Sequence, residues 1–252
     1  VLYRGRKILM FGSNNYLGLA NHPYVKEQVI KAVEKYGAGT AGSRFLNGSL
    51  DLHEKLEQKL AQFVGKEKAI VFSTGMQANL GTISCLIRRN DYVILDERNH
   101  ASIVDGARLS FGKVYKFKHN DIQSLQNLLM QIEGNCNTNG YSESIRLIVV
   151  DGVFSMEGDV CNLVGVVESA RKFNADVMVD DAHGIGVMGP GGRGTCAHFK
   201  LTNHVAIIMG TFSKSFGTVG GFIAASSEII NYIKHQARSF IFSAAISPAC
   251  AA

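Results

Sequence analysis

No apolar run in this chain approaches the ~20 residues that a membrane-spanning helix needs, so a spanning protein is not expected. No run of five or more basic residues occurs, and a net charge of +5 over 252 residues is mild. Nucleic acid is therefore not an expected partner. The five cysteines are an odd number at scattered spacings, with no C-x-x-C pair. They form no disulfide framework and read as reduced thiols of a cytoplasmic protein. No signal peptide is expected. Neither H-E-x-x-H nor G-x-S-x-G occurs, and Cys196-Ala197-His198 is too little for zinc. The metal and serine-hydrolase readings fail on that ground, and no metal is expected. Proline is scarce, with three residues.

Glycine, in contrast, supplies 27 residues, above the usual ~7%, and in clusters that suggest tight turns and backbone close to a ligand. Hydrophobic residues make up 46% and charged residues 19%, an ordinary globular composition that excludes a disordered chain. The length fits one large domain or two small ones. The chain starts at Val1 rather than Met. It stops four residues after Ser247-Pro248 begins a helix, with Ser as N-cap and Pro at the first helical position. A fragment of a longer protein is expected.

Short apolar, β-branched runs predict strands at Ala69–Phe72, Tyr92–Leu95, Val114–Phe117, Arg146–Val150, Val177–Asp180, Val205–Met209 and Gly221–Ala225. Helical periodicity lies between most of them. The clearest case is Leu52, Leu56, Leu60, Phe63 and Val64. Others are Pro23–Tyr36, Gln77–Arg88, Ile122–Gln131, Val164–Phe173 and Glu228–Arg238. Asn135–Ser144 is polar and reads as a surface loop. The alternation predicts an α/β fold with a mostly parallel seven-stranded sheet flanked by helices. Ligands of such sheets sit at the carboxyl ends of strands.

The residues after each strand are therefore the candidates. Ser73-Thr74-Gly75-Met76-Gln77-Ala78-Asn79 opens a helix with free N–H groups that suit a phosphate, although many such turns are plain caps. His100 sits at a loop-to-helix junction, where a capping histidine is the simpler reading. Asp151 to Asp159 gathers polar groups at one strand end. Asp180-Asp181-Ala182-His183 ends an otherwise buried strand, and a buried charge needs a cation or protonated ring as partner. Lys214, among hydroxyls and glycines after a buried strand, suits a Schiff-base amine, unless it snorkels to water. Gly184-Ile185-Gly186-Val187-Met188-Gly189 matches G-x-G-x-x-G. A dinucleotide site needs the first Gly directly after the strand and an acid ~20 residues on. Neither condition holds, so that reading is rejected.

An amine, a carboxylate, an imidazole, a phosphate turn and hydroxyls, each after a different strand, form the set that pyridoxal 5'-phosphate (PLP) needs. At this point a resemblance adds to the residues. Asn14-Asn15-Tyr16-Leu17-Gly18-Leu19, Asn99-His100-Ala101-Ser102, Asp151–Gly158, Asp180–Gly184 and Gly210-Thr211-Phe212-Ser213-Lys214 resemble the α-oxoamine synthases, which are fold-type I PLP-dependent transferases. The resemblance covers nearly all of the chain. Leu9–Asn14, Ala41–Leu52, Asn90–Tyr92, Ser155–Asp159, Met209–Ser215 and His235–Ser239 are most similar to bacterial members that join L-serine to a long-chain acyl-CoA.

The resemblance implies that residues 1–45 lead into a PLP-binding large domain, residues 46–252. It also implies that a C-terminal small domain, with an arginine for the substrate carboxylate, is absent. Lys214 would hold the cofactor as a Schiff base and move the Cα proton. Asp180 would bind the pyridine nitrogen, and His183 the ring hydroxyl. His100 would stack on the ring and orient the substrate carboxylate, with Ser155 near the ring oxygen. Gly75 and Met76 would give N–H groups to the phosphate, and Thr211 and Ser213 hydroxyls. Ser243 and Ala244 match a stretch that reaches the phosphate from the second subunit of a homodimer. Asn15 would line the amino-acid site. The residues Ser215 to Val219 depart from the pattern, which has Leu and Ala there in bacterial members.

The implied reaction is a decarboxylating condensation of L-serine with palmitoyl-CoA. It gives 3-ketosphinganine, CoA and CO2, the first step of sphingolipid synthesis. Two other readings stay open. One is a sister member that joins glycine to acetyl-CoA or makes 8-amino-7-oxononanoate. The other is a non-catalytic partner subunit, against which the presence of Lys214 argues. The product is a lipid, so peripheral membrane contact stays open, although no amphipathic anchor is evident.

Overall fold

The computed structural model describes residues 1–139 and 144–252. A short exposed hairpin, β1 (Leu2–Tyr3) and β2 (Arg6–Lys7), precedes helices α1 (Pro23–Tyr36) and α2 (Asp51–Val64). Then follow β3 (Lys68–Phe72), α3 (Gly75–Leu86), β4 (Tyr92–Asp96), α4 (Ala101–Leu109), β5 (Lys113–Phe117) and α5 (Ile122–Asn139). Next come β6 (Arg146–Asp151), α6 (Leu163–Lys172), β7 (Asp176–Asp180), α7 (Thr195–His198) and β8 (Ile207–Thr211). The chain continues through β9 (Gly221–Ala225), α8 (Ser227–Gln236), α9 (Arg238–Ile241) and α10 (Pro248–Ala251).

All seven predicted strands join one sheet in the order β3-β9-β8-β7-β6-β4-β5. Neighbours pair in parallel except β9, which runs antiparallel to both β3 and β8. Side chains alternate between two cores. Tyr92, Ile94, Ile148, Val150, Val177 and Val179 face the core that includes α2, α5 and α6. Val93, Leu95, Leu147, Val149, Met178 and Met209 face the core that includes α3, α4 and α8. Burial on both faces explains why the strands read as continuous apolar runs.

Two expectations are corrected. The strand expected at Val205–Met209 pairs only from Ile207 and continues to Thr211. Val205 is buried outside the ladder, and hydrophobicity reports burial rather than pairing. The loop expected at Asn135–Ser144 is helical through Asn139; residues 140–143 of that stretch lie outside the described residues. The helix start at Ser247 is present, with its side chain accepting from the Cys250 N–H. Among the described residues no helix is long and apolar enough to cross a membrane.

Candidate active site

The carboxyl ends of β6, β7 and β8 place Asp151, Asp180 and Thr211 side by side, with Asp151 and Asp180 in register on neighbouring strands. Around them opens a cavity of about 300 Å³, lined by Gly75, Met76, His100, Asp180, His183, Thr211, Ser213 and Lys214. These eight predicted residues come from four segments of sequence. Asn79, Ser102 and Asp151 line it too.

Asp180 is 3% exposed and is held by neutral donors rather than by a cation. The Asn79 Nδ2 donates to its Oδ2 at 2.7 Å, and the Ala182 N–H to its Oδ1 at 3.1 Å. The same Asn79 nitrogen donates to Ser102 Oγ at 2.8 Å. Ser102 Oγ lies 2.8 Å from His100 Nδ1, which also accepts from the Ser102 N–H at 3.2 Å. An Nδ1 that accepts leaves the proton on Nε2. One polar chain thus runs from Asp180 through Asn79 and Ser102 to His100 and fixes the tautomer of that ring.

Asp151 accepts from Asn99 Nδ2 at 2.8 Å and from the His100 N–H at 3.0 Å, both on Oδ2. Burial, then the nearby Asp180 charge, pushes its carboxyl up to about 7. The Lys214 side-chain amine has no hydrogen-bond or ion-pair partner among the described residues. Burial pulls its pKa below the ordinary value, and the carboxylates of Asp180 and Asp151 oppose that pull. A desolvated amine of this kind loses its proton readily and becomes a nucleophile for a carbonyl. His183 Nδ1 lies 2.6 Å from the Tyr16 hydroxyl. Burial, then the Lys214 charge, takes it down to about 4, so the ring is neutral at neutral pH.

At the other end of the cavity α3 begins. Thr74 Oγ1 accepts from the Gln77 N–H at 3.1 Å, and among the described residues the N–H groups of Gly75 and Met76 have no partner. Gly75 is required here, because a Cβ would sit 2.9 Å from Thr211 Oγ1. Thr211 Oγ1 donates to the Gly220 carbonyl at 3.0 Å and lies 3.0 Å from Ser213 Oγ. Free N–H groups, a helix N-terminus and two hydroxyls form an anion cradle.

Four predicted residues do not line this cavity. Ser155 lines a neighbouring cavity of about 480 Å³, together with Tyr16, Leu17, Val153, Phe154 and Val187. His183 borders both cavities. Asn15 Oδ1 accepts from the Ala20 N–H at 3.2 Å. Ser243 accepts from Gln77 Nε2 at 3.0 Å, and the Ala244 carbonyl from Ser73 Oγ at 2.5 Å. Both thus pack against the residues flanking the phosphate-type turn of their own chain.

Asp181, read beside Asp180 as one of a charged pair, is separate. It is fully buried and accepts from the Thr195 N–H and Thr195 hydroxyl, both at 2.6 Å. Burial pushes its carboxyl up to about 6. The glycine-rich stretch serves this carboxylate, since a Cβ on Gly184 would lie 2.0 Å from Asp181 Oδ1. Among the described residues no cluster could hold a metal ion. Asn79, Tyr16 and Ser102 were not singled out as site residues. Asn79 lies on a helix and its partner Asp180 is remote in sequence; Tyr16 and Ser102 stand in segments already noted.

The aminotransferase class I and II family model matches residues 6–252. The chain belongs to that family. It is 57% identical over 248 residues, 98% of its length and 61% of the relative's, to a serine palmitoyltransferase of Bacteroides thetaiotaomicron. It is 48% identical over 246 residues, 97% of its length and 61% of the relative's, to an 8-amino-7-oxononanoate synthase of Petrotoga mobilis. Among solved structures it resembles a lysine-to-alanine variant of serine palmitoyltransferase from S. paucimobilis with bound PLP–myriocin aldimine. The TM-score is 0.93 at 39% identity, covering 99% of this chain and 61% of that one. The fold is thus the fold-type I transferase fold. The chain spans about three fifths of the length of these relatives.

Proposed function

We propose that the protein binds PLP and catalyses the decarboxylating condensation of L-serine with a long-chain acyl-CoA, giving 3-ketosphinganine, CoA and CO2. The observation that carries this reading is the meeting of an unpartnered Lys214 amine with the buried Asp180 carboxylate in one cavity that ends in an anion cradle. The residues fit the cofactor. The cradle of Gly75, Met76, Thr211 and Ser213 matches a phosphate, the amine an aldehyde, and the carboxylate a pyridine nitrogen. Asn79 Oδ1 is also buried without a partner among the described residues.

PLP, when bound, supplies an electrophilic aldehyde and a protonated pyridine that accepts the electron pair of a Cα carbanion. Asp180 would keep that nitrogen protonated, and Asn79 holds the carboxylate in place. Lys214 would hold the aldehyde through its amine and would take the Cα proton. His183, neutral and bonded to Tyr16, would meet the ring hydroxyl. His100, with Nε2–H free of the polar chain, would contact the substrate carboxylate. The active form is read as a homodimer, with Ser243 and Ala244 near the phosphate turns.

Serine is favoured over the sister substrates because the serine palmitoyltransferases match at 55–57% identity and the 8-amino-7-oxononanoate synthases at 42–48%. A CoA-release assay on the full-length protein, across amino acids and acyl lengths, tests this. The expected result is a preference for serine with long chains. A preference for glycine with acetyl-CoA, or for alanine with a dicarboxylic acyl-CoA, overturns it.

A further inference from the structure

His119, which follows β5, stands between two carboxylates. Its Nδ1 lies 2.9 Å from Asp96 Oδ1 at the end of β4, and its Nε2 lies 3.0 Å from Asp159 Oδ2. A neutral imidazole has one N–H and would turn a lone pair toward one of these oxygens; only the imidazolium donates to both. Asp96 is 1% exposed, and Asp159 Oδ1 is buried without a partner among the described residues.

Asp159 belongs to a hairpin, residues 153–160, closed by the Val153–Val160 bridge and by the Phe154 N–H donating to the Asp159 carbonyl at 3.0 Å. Phe154 packs edge-on to the His119 ring, with centroids 4.5 Å apart. Val153, Phe154, Ser155 and Gly158 of this hairpin form one wall of the second cavity, which shares His183 with the Lys214 cavity. The ion pair Arg98–Glu157 also ties the hairpin down, but the arginine is exposed and such pairs hold weakly. Asn120 Nδ2 adds a neutral bond to Asp159 at 3.1 Å.

We propose that His119 is a positioning residue whose doubly donating ring clamps the hairpin onto the end of β4 and thereby shapes the cavity that receives the acyl chain of the thioester substrate. The acyl assignment rests on the function proposed above; the clamp does not. The lining of that cavity by Leu17, Val153, Phe154 and Val187 suits an alkyl chain. The titratable groups that meet the ring are Asp96 from the end of β4 and Asp159 from the hairpin, and Glu97 in the turn after β4 accepts from the His119 backbone N–H at 3.1 Å. Burial opposes the ring's charge, and Asp96 and Asp159 outweigh that opposition, holding its pKa above the ordinary value. Loss of the proton removes one of the two donors and sets a lone pair against a carboxylate.

The test is hydrogen exchange of the 152–161 segment in the full-length PLP-loaded protein, read as protection factors from about pH 6 to about pH 9, beside substrate kinetics. In the wild type, protection should fall and the KM for palmitoyl-CoA should rise over the same pH interval. His119→Gln should lower protection roughly tenfold at the acid end and abolish the pH dependence. It should raise the acyl-CoA KM by a similar factor, while the PLP absorbance and the serine KM stay within about twofold of wild type. Asp159→Asn keeps an acceptor but removes a charge; protection should persist at low pH and fail at a lower pH than in the wild type. Equal protection in wild type and His119→Gln, protection independent of pH in the wild type, or an unchanged acyl-CoA KM when protection is lost overturns the proposal. If no acyl-CoA is turned over, the functional reading fails, and the exchange data still decide the clamp.

Discussion

Asn79 holds Asp180: the amide nitrogen of the first donates to a carboxylate oxygen of the second at 2.7 Å, across a sheet-to-helix gap that spans 101 residues of sequence. With its other hydrogen the same nitrogen reaches Ser102 and, through it, His100. The two groups read as partners of the cofactor ring are therefore mechanically joined. Asn79→Ala should leave a buried carboxylate short of a donor and cost about 1–3 kcal/mol of stability. Asn79→Asp should cost more, by setting a second carboxylate against Asp180. Denaturant unfolding gives the first quantity, and PLP titration by absorbance shows whether affinity falls with it. Wild-type affinity in Asn79→Ala would detach Asp180 from the cofactor role.

Replacing Lys214 should remove covalent attachment. Lys214→Ala is expected to lose the absorption band near the visible edge and to drop turnover by roughly 10²–10⁴-fold, the range for a lost acid–base group. Lys214→Arg should not rescue, because a guanidinium does not give up its proton. A retained band in Lys214→Ala would place the reactive amine elsewhere.

Asp151 makes a pH prediction. Its carboxyl is raised from 3.8 to about 7 in the folded protein, so between those values the folded state binds more protons than the unfolded. Its contribution to stability is then fully present below about pH 4 and lost as pH rises through about 7. Asp151→Asn removes that loss. Because Asn99 and His100 both donate to one oxygen, the amide oxygen can replace it. Tm measured from pH 4 to pH 8 should decline less with rising pH in the variant; a parallel decline would refute the assignment. His183, lowered to about 4, works in the opposite sense, its contribution being present above its unfolded pKa and lost as pH falls toward 4.

The anion cradle depends on a close approach of β9 to α3. A Cβ on Gly221 would lie 2.6 Å from the Gly75 Cα. Gly221→Ala should push the helix N-terminus away, destabilise the fold by about 1–3 kcal/mol and weaken PLP binding. Inorganic phosphate competition should weaken in proportion, since only the cradle moves. An alanine variant with unchanged affinity for both would show that the turn does not hold the phosphate.

Much of this architecture was legible. The strands were readable because both sheet faces are buried, which leaves unbroken apolar runs. Helix α1 was found at both ends because His22 and Pro23 start it and Gly37, at φ 80°, stops it. Lys214 and Asp180 were readable from one rule, that chemistry gathers where strands of such a sheet end. What stayed hidden involves pairs. Nothing local marks Asn79 as the holder of Asp180, or Thr195 as the partner of Asp181. Nor does the sequence show that His119 lies between Asp96 and Asp159. Those contacts exist only once the strand order is known, and the order is not written in periodicity.

The reversed strand β9 has a consequence for biosynthesis. Among the described residues the edge strand β3 has no sheet partner except β9, more than a hundred residues downstream. A nascent chain emerging from the ribosome therefore carries an apolar strand with an unsatisfied edge until β9 has been made, a state prone to mispairing and slow to resolve. The turn that would grip the vitamin follows that strand, so its pocket can close only after β9 has joined the sheet.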